Sequence, residues 1–384
     1  MKQILNPFFL YIFSFGIVFI LYLLHWSNLF PPLSMSLITF FVLTFIISFF
    51  LGFHIKKCRK NIFSNEVIIS TKYIRNVKLI FGGYMLEFIY AKHIPIISIF
   101  NSSDNFIHFG GIPTFHVLLV TYNIFLSSIL FYRIISSFNK VLFLNFCIIT
   151  VFPPLLMVNR GMFFTMFLTC LFIYLFSLKK IDLRKTIYCC VGIFLALYIF
   201  ALIGSARIKD DVTNRIFVTY TQPTDEFNSL GLSNMFLWPY MYVASPLGNL
   251  QTCINEYTPR YSLNGFFLTC ICPDFIAKKI SITENEKAPP LISPTFNVST
   301  MYYDAYVQYG YLGMLILYFI QVFYIYIIFL FSKSTNNPYY TVTISLMCSV
   351  IILNTFSNMW VFSAISFPII WGPVSLLFKR IKWS

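Results

Sequence analysis

Residues 141–178 read VLFLNFCIITVFPPLLMVNRGMFFTMFLTCLFIYLFSL and carry a single charge, Arg160. Crossing about 30 Å of hydrocarbon takes a helix of about 20 predominantly apolar residues. The run is long enough for two such helices, and MVNRG near its middle supplies the turn between them. No soluble core needs so long an unbroken apolar stretch. Its reading therefore sets the fold class: all-α and integral to a membrane.

The rest of the chain has the same character. It holds 384 residues, 58% hydrophobic and 20% aromatic, with only 10% charged. Forty-seven Phe and 25 Tyr suit a lipid-facing surface with interfacial belts. The net charge of +14 would suit nucleic acid in a soluble protein. Here the basic residues cluster in short loops between apolar runs, the pattern that orients membrane helices, so nucleic acid is excluded as a partner.

Outward from residues 141–178, apolar spans are expected at 7–24, 34–53, 79–97 and 114–135 before the run, and at 186–203, 310–331, 339–355 and 363–378 after it. With the two spans in the run, this makes ten. The HIKKCRKN loop after span two and the Lys179, Lys180, Arg184, Lys185 cluster mark one side as cytoplasmic. Both termini then lie inside, and the localisation is a plasma membrane. Three regions are expected: seven helices in 1–204, a large extracytoplasmic loop in 205–300, and three helices in 301–384.

That loop holds eight of the chain's thirteen acidic residues. Within it MFLWPYMYVASPLGNL is apolar but interrupted by Pro239 and Pro246, and an interfacial or re-entrant helix is expected there. Cys253, Cys270 and Cys272 also fall in the loop, which leaves one disulfide open. No metal-ligand spacing of His, Cys, Asp or Glu is present, so neither a metal nor a cofactor is expected.

A few residues stand out as chemistry-bearing. Arg160 either snorkels to headgroups from a hairpin turn or faces a cavity as an anion ligand. Arg207 and Arg215 are eight apart, so on a continuing helix they share a face. They either grip one anion or are neutralised by Asp210 and Asp211; a guanidinium fork suits phosphate oxygens. His116, after GGIPTF, is a candidate proton acceptor or a hydrogen-bonded structural histidine. Asp304 either complements a helix dipole or acts as a base. Tyr302, Tyr303 and Tyr306 form an interfacial belt or a sugar-stacking platform, and Trp238 is a further candidate for glycan contact. Glu87 and Lys92 share span three but are five apart, poorly spaced for a helical pair.

Three of these stretches carry a resemblance: HFGGIPTFHVLL, MVNRGMFF and STMYYDAYVQYGYLGM. Together with the layout of spans and one large late loop, they resemble the O-antigen and capsule polymerases, the Wzy-type repeat-unit polymerases of bacterial inner membranes. The resemblance implies a metal-independent glycosyltransferase that needs no cofactor. Its substrate would be a polyprenyl-diphosphate-linked oligosaccharide in membrane lipid, with a chain-length regulator and a flippase as companion proteins. Arg160, His116 and Asp304 fall at the matching motif positions, and Arg207 and Arg215 in the basic start of the loop. The leaving diphosphate would need arginines, and the attacking hydroxyl a His or an acid. An O-antigen-type ligase would share this layout. A flippase would instead call for an internal repeat or paired broken helices, and neither is seen.

Overall fold

A computed structural model of the chain describes residues 6–56, 72–100, 109–178, 219–232, 234–280, 289–332 and 338–381. Among these residues the regular secondary structure is all helical, apart from one isolated β-bridge between Ser27 and Pro223. The principal helices are α1 Pro7–Tyr22, α2 Met35–Lys56, α3 Lys72–Ala91, α4 Pro95–Phe100, α5 Phe115–Ser136, α6 Lys140–Leu156 and α7 Arg160–Ser177. They are followed by α8 Leu237–Glu256, α9 Tyr302–Ser332, α10 Pro338–Leu353 and α11 Pro368–Ile381.

Three helical segments are long and apolar enough to cross a membrane: Met35–Ile55, Phe115–Ser136 and Tyr302–Phe329. Shorter apolar helices accompany them at Pro7–Tyr22, Lys140–Leu156, Gly161–Ser177 and Tyr339–Leu353. On α2 the exposed side chains Val42, Ile46, Phe49, Phe50 and Phe53 recur at helical spacing. Such a stripe would be an aggregation hazard in water, and hydrocarbon is its natural solvent.

The bundle centres on α10, which packs against α7, α11, α1 and α5. Its faces from Thr341 to Ile351 are buried on all sides. Small hydroxyl residues make that possible. Thr341, Thr343, Ser345 and Ser349 are buried, Ser345 and Ser349 bond back to carbonyls one turn earlier, and Ser349 meets Thr169 of α7 at 3.1 Å. Lipid gives helices no hydrophobic reason to associate, so close packing and such bonds supply the attraction.

A chain of hydroxyls joins α1, α2 and α9. Tyr11 Oη lies 2.7 Å from Tyr302 Oη and donates to Thr44 Oγ1, while Tyr318 Oη donates to the Thr44 carbonyl. Each group is otherwise deprived of water, so each must find its partner inside the protein.

Helix α9 is two helices in one. Tyr309 (φ −149°, ψ 18°) and Gly310 (φ 61°, ψ −153°) are not helical. A Cβ on Gly313 would collide with the Ala305 carbonyl oxygen. In a straight helix residues eight apart lie about 12 Å apart along the axis. Residues 302–308 therefore fold back along the start of the following segment, and Gly310 supplies the left-handed backbone that the reversal needs. The expected start of span eight at residue 310 coincides with this break.

Residues 237–256 are helical, as expected for this stretch of the late loop. Pro239 and Pro246 do not divide them: α8 is one continuous helix. Pro239 sits in the first turn, where a missing N–H costs nothing. The Pro246 carbonyl accepts from Ser299 Oγ at 3.2 Å. Fourteen of its residues are buried, and α8 packs against α1 and α9. The late loop is thus built into the bundle. Ser27 Oγ donates to the Thr221 carbonyl and Thr224 Oγ1 to that of His25. Cys253, Cys270 and Cys272 are all free thiols.

Candidate functional site

Two irregular segments enter the bundle and create a cavity. Met301 N donates to the Asn354 carbonyl, and Asn354 Nδ2 donates to Gln321 Oε1 at 2.8 Å. Trp360 Nε1 donates to the same Gln321 oxygen at 3.1 Å. Gln321 lies eleven residues past Gly310, roughly 16 Å along α9. The 297–301 and 354–360 segments thus sit well down the helix rather than above its end. Non-helical backbone at such depth is tolerated where protein surrounds it or where it borders a water-filled space. Asn249 of α8 steadies the first segment, donating to the carbonyls of Phe296 and Val298 and accepting from Ile292 N.

The cavity between them has a volume of about 580 Å³. Its walls are mainly apolar and aromatic, with Tyr242, Phe356 and Phe362 among them. Asn297, Ser299 and Thr300 add a polar edge. Asp304 is the acid in the wall. Its side chain is open to the space, and its carboxylate accepts no hydrogen bond from any described residue. The fold-back at Gly310 is what turns it inward: on a straight α9 it would lie some two turns before residue 310.

Tyr303 lines the same cavity and is buried, its hydroxyl tied to the Pro290 carbonyl at 3.0 Å. Its ring, not its hydroxyl, is therefore what a ligand would meet. Trp238 is buried at the start of α8 and is not part of the wall. Tyr242, four residues on along the same face of α8, is. That one-turn offset was not readable from the sequence.

Arg160 opens α7, and its neighbour Gly161 borders the cavity. The Arg160 side chain lies outside what is described. Arg207 and Arg215 lie outside the described residues altogether. Asn159 caps α7, accepting from Met162 N at 2.9 Å. The residue before the cap, Val158, has φ 52°. A β-branched residue in the left-handed region is strained by about 1–3 kcal/mol.

His116 does not line this cavity; it stands in the first turn of α5, paired with Glu87 of α3. The distance from His116 Nδ1 to Glu87 Oε2 is 2.7 Å, and Glu87 Oε1 also accepts from Ile112 N at 3.2 Å. Glu87 is fully buried, while the His116 side chain is 29% exposed. This turn is strained as well, with Thr114 at φ 68°. The pairing of Glu87 with His116 escaped the sequence reading because the two are 29 residues apart on different helices.

The first turn of α7 borders the cavity and also touches α3. Gly161 lines the cavity, and the next residue, Met162, accepts through Sδ from Tyr84 Oη at 3.8 Å. Tyr84 precedes Glu87 by three residues on α3, about 4.5 Å of rise. The Glu87–His116 pair stands apart from the cavity lining, where a carboxylate, a polar edge and an aromatic wall gather. Such a set can bind a polyol by stacking and hydrogen bonds and can accept a proton from it. Among the described residues no group of three or more His, Cys, Asp or Glu could hold a metal ion.

Set beside known proteins, the chain matches no family model, and no curated protein or solved structure is similar to it.

Proposed function

We propose that this chain is a membrane glycosyltransferase that polymerises polyprenyl-diphosphate-linked oligosaccharide repeat units into O-antigen or capsular polysaccharide. It works at the outer face of a bacterial plasma membrane, with ten spans and both termini cytoplasmic. The observation that carries this reading is the 580 Å³ cavity, where the Asp304 carboxylate faces aromatic rings within a bundle of apolar helices. Aromatic faces stack on the apolar faces of sugars, and a carboxylate accepts from their hydroxyls. Bare apolar cavities bind hydrocarbon, but this one also carries hydroxyl, amide and acid groups.

In the reaction, a hydroxyl of the acceptor repeat unit attacks the anomeric carbon of the donor glycan, and the diphosphate leaves. Arg160 at the start of α7, with Arg207 and Arg215, stabilises the leaving diphosphate. Asp304 and Tyr303 hold the acceptor end. A chain-length regulator and a flippase are the companion proteins.

A strain lacking the chain tests this directly through the length of its surface glycan. A single repeat unit on the lipid anchor is the expected phenotype. Loss of all surface glycan would instead indicate a ligase or a flippase, and unchanged long-chain glycan would refute the reading. Complementation with Asp304→Asn should shorten the glycan while protein level holds.

A further inference from the structure

We propose that the cavity takes a ligand bearing an ammonium group, and that this ligand is an amino sugar at the acceptor end of the glycan. The ammonium class follows from the wall itself; its assignment to a sugar rests on the glycosyl-transfer reading above.

Asp304 stands out within its own segment. From Met301 to Val307 every other residue is buried, and Asp304 is exposed to the cavity that it lines. No Lys, Arg or His among the described residues lines that space. The titratable groups that feel the Asp304 charge are the thiols of Cys253 and Cys270 and the Tyr303 hydroxyl. None of these can carry a positive charge. A carboxylate drawn out of bulk water is costly until a cation or a set of donors faces it. A ligand that brings a positive charge removes that cost.

The rest of the wall selects the same sign. The rings of Tyr242 on α8 and Phe356 meet with centroids 6.3 Å apart, and Tyr303, Phe362 and Phe164 add further rings. The face of an aromatic ring is negative, so a cation within about 6 Å of it is attracted. For a neutral sugar the polar edge of Asn297, Ser299 and Thr300 would suffice. Acid and rings together add a preference for positive charge: an ammonium can donate to the carboxylate while the carbons beside it lie on the rings. The same field disfavours the diphosphate, so the cavity holds the sugar, and the diphosphate stays outside it with the arginines. Pockets of roughly 300–1,000 Å³ enclose one small molecule, so about 580 Å³ takes the terminal sugars and not a long chain.

The test titrates purified full-length protein in detergent with glucosamine, N-acetylglucosamine and glucose at neutral pH and constant ionic strength. An apparent Kd is read from the rise in Tm with concentration. Glucosamine should bind at least about tenfold more tightly than the other two, which share its ring but carry no charge. Asp304→Asn keeps the shape of the side chain and should weaken glucosamine binding by about 30-fold or more, with glucose unaffected. Asp304→Glu should recover part of the loss. Glu226→Gln, at an exposed acid outside the cavity wall, should bind as wild type does. Nanodiscs with and without phosphatidylethanolamine separate the two sources of ammonium. Equal glucosamine affinity in both is expected; competition by the lipid would overturn the sugar assignment and give the site to the headgroup. Equal binding of all three sugars, or glucosamine binding that survives in Asp304→Asn, would overturn the ammonium site. So would the absence of any binding, the result expected if Arg160 already pairs with the carboxylate. The transfer reading fails separately: unchanged long-chain glycan in the strain lacking the chain would refute it while Asp304-dependent glucosamine binding stood. A single-repeat phenotype without charge-selective binding would keep the transfer and refute the ammonium ligand.

Discussion

Gly313 is the residue on which the fold-back of α9 depends, and Gly313→Ala is the substitution that exposes it. An added Cβ would collide with the Ala305 carbonyl oxygen and stand 2.9 Å from Tyr309 Cβ. The first obstacle is backbone and cannot rotate away. Overpacking of this kind costs about 1–3 kcal/mol. Gly16 in α1 is the matched control, because a Cβ there meets nothing within 4 Å. At Gly16 alanine should stabilise by about 0.5–1 kcal/mol, the usual gain over glycine inside a helix. The two variants should thus move in opposite directions and differ by about 1.5–4 kcal/mol. The assay is heat-induced loss of the folded peak on size exclusion in detergent, read as an apparent Tm at one scan rate. Gly313→Ala should melt below wild type and Gly16→Ala at or above it. If Gly313→Ala proves as stable as Gly16→Ala, residues 302–308 do not pack back on α9. The inward placement of Asp304 would then be wrong.

Other outcomes follow from the same geometry. Arg160→Lys, Arg207→Lys and Arg215→Lys keep charge but lose the fork, so long-chain glycan should fall sharply in each at unchanged protein level; normal glycan in all three would end their assignment to diphosphate. Burial pushes the Cys270 thiol up to about 12. The folded protein therefore keeps this thiol protonated well above the pH at which the unfolded chain ionises it, and maleimide at pH 8 should label Cys270 only after denaturation. A raised pKa of this kind also means that stability falls as pH rises above about 9, the ordinary thiol value. A reporter fused at Asn228 should read extracytoplasmic and one at Ser384 cytoplasmic; a cytoplasmic signal at Asn228 would overturn the topology.

Sequence alone determined the solvent of this protein. The apolar run at 141–178, the 58% hydrophobic composition and the clustering of Lys and Arg identify membrane helices. Several boundaries were legible too: the spans expected at 34–53 and 114–135 correspond to α2 Met35–Lys56 and α5 Phe115–Ser136. Length and charge set those limits, and both are local properties. Which way each helix faces was not legible. In water, polar residues mark the outer face of a helix, but in hydrocarbon the outer face is as apolar as the inner one, so periodicity carries little signal. For that reason Glu87 read as an isolated acid near Lys92, and only packing of α3 against α5 brought it to His116. Trp238 stood out in the sequence, but position along α8 put Tyr242, one turn further on the same face, in the cavity wall. Asp304 was visible as an acid at the entry to a span. Its inward turn came from the fold-back at Tyr309 and Gly310, a contact between backbones eight residues apart that no local pattern records.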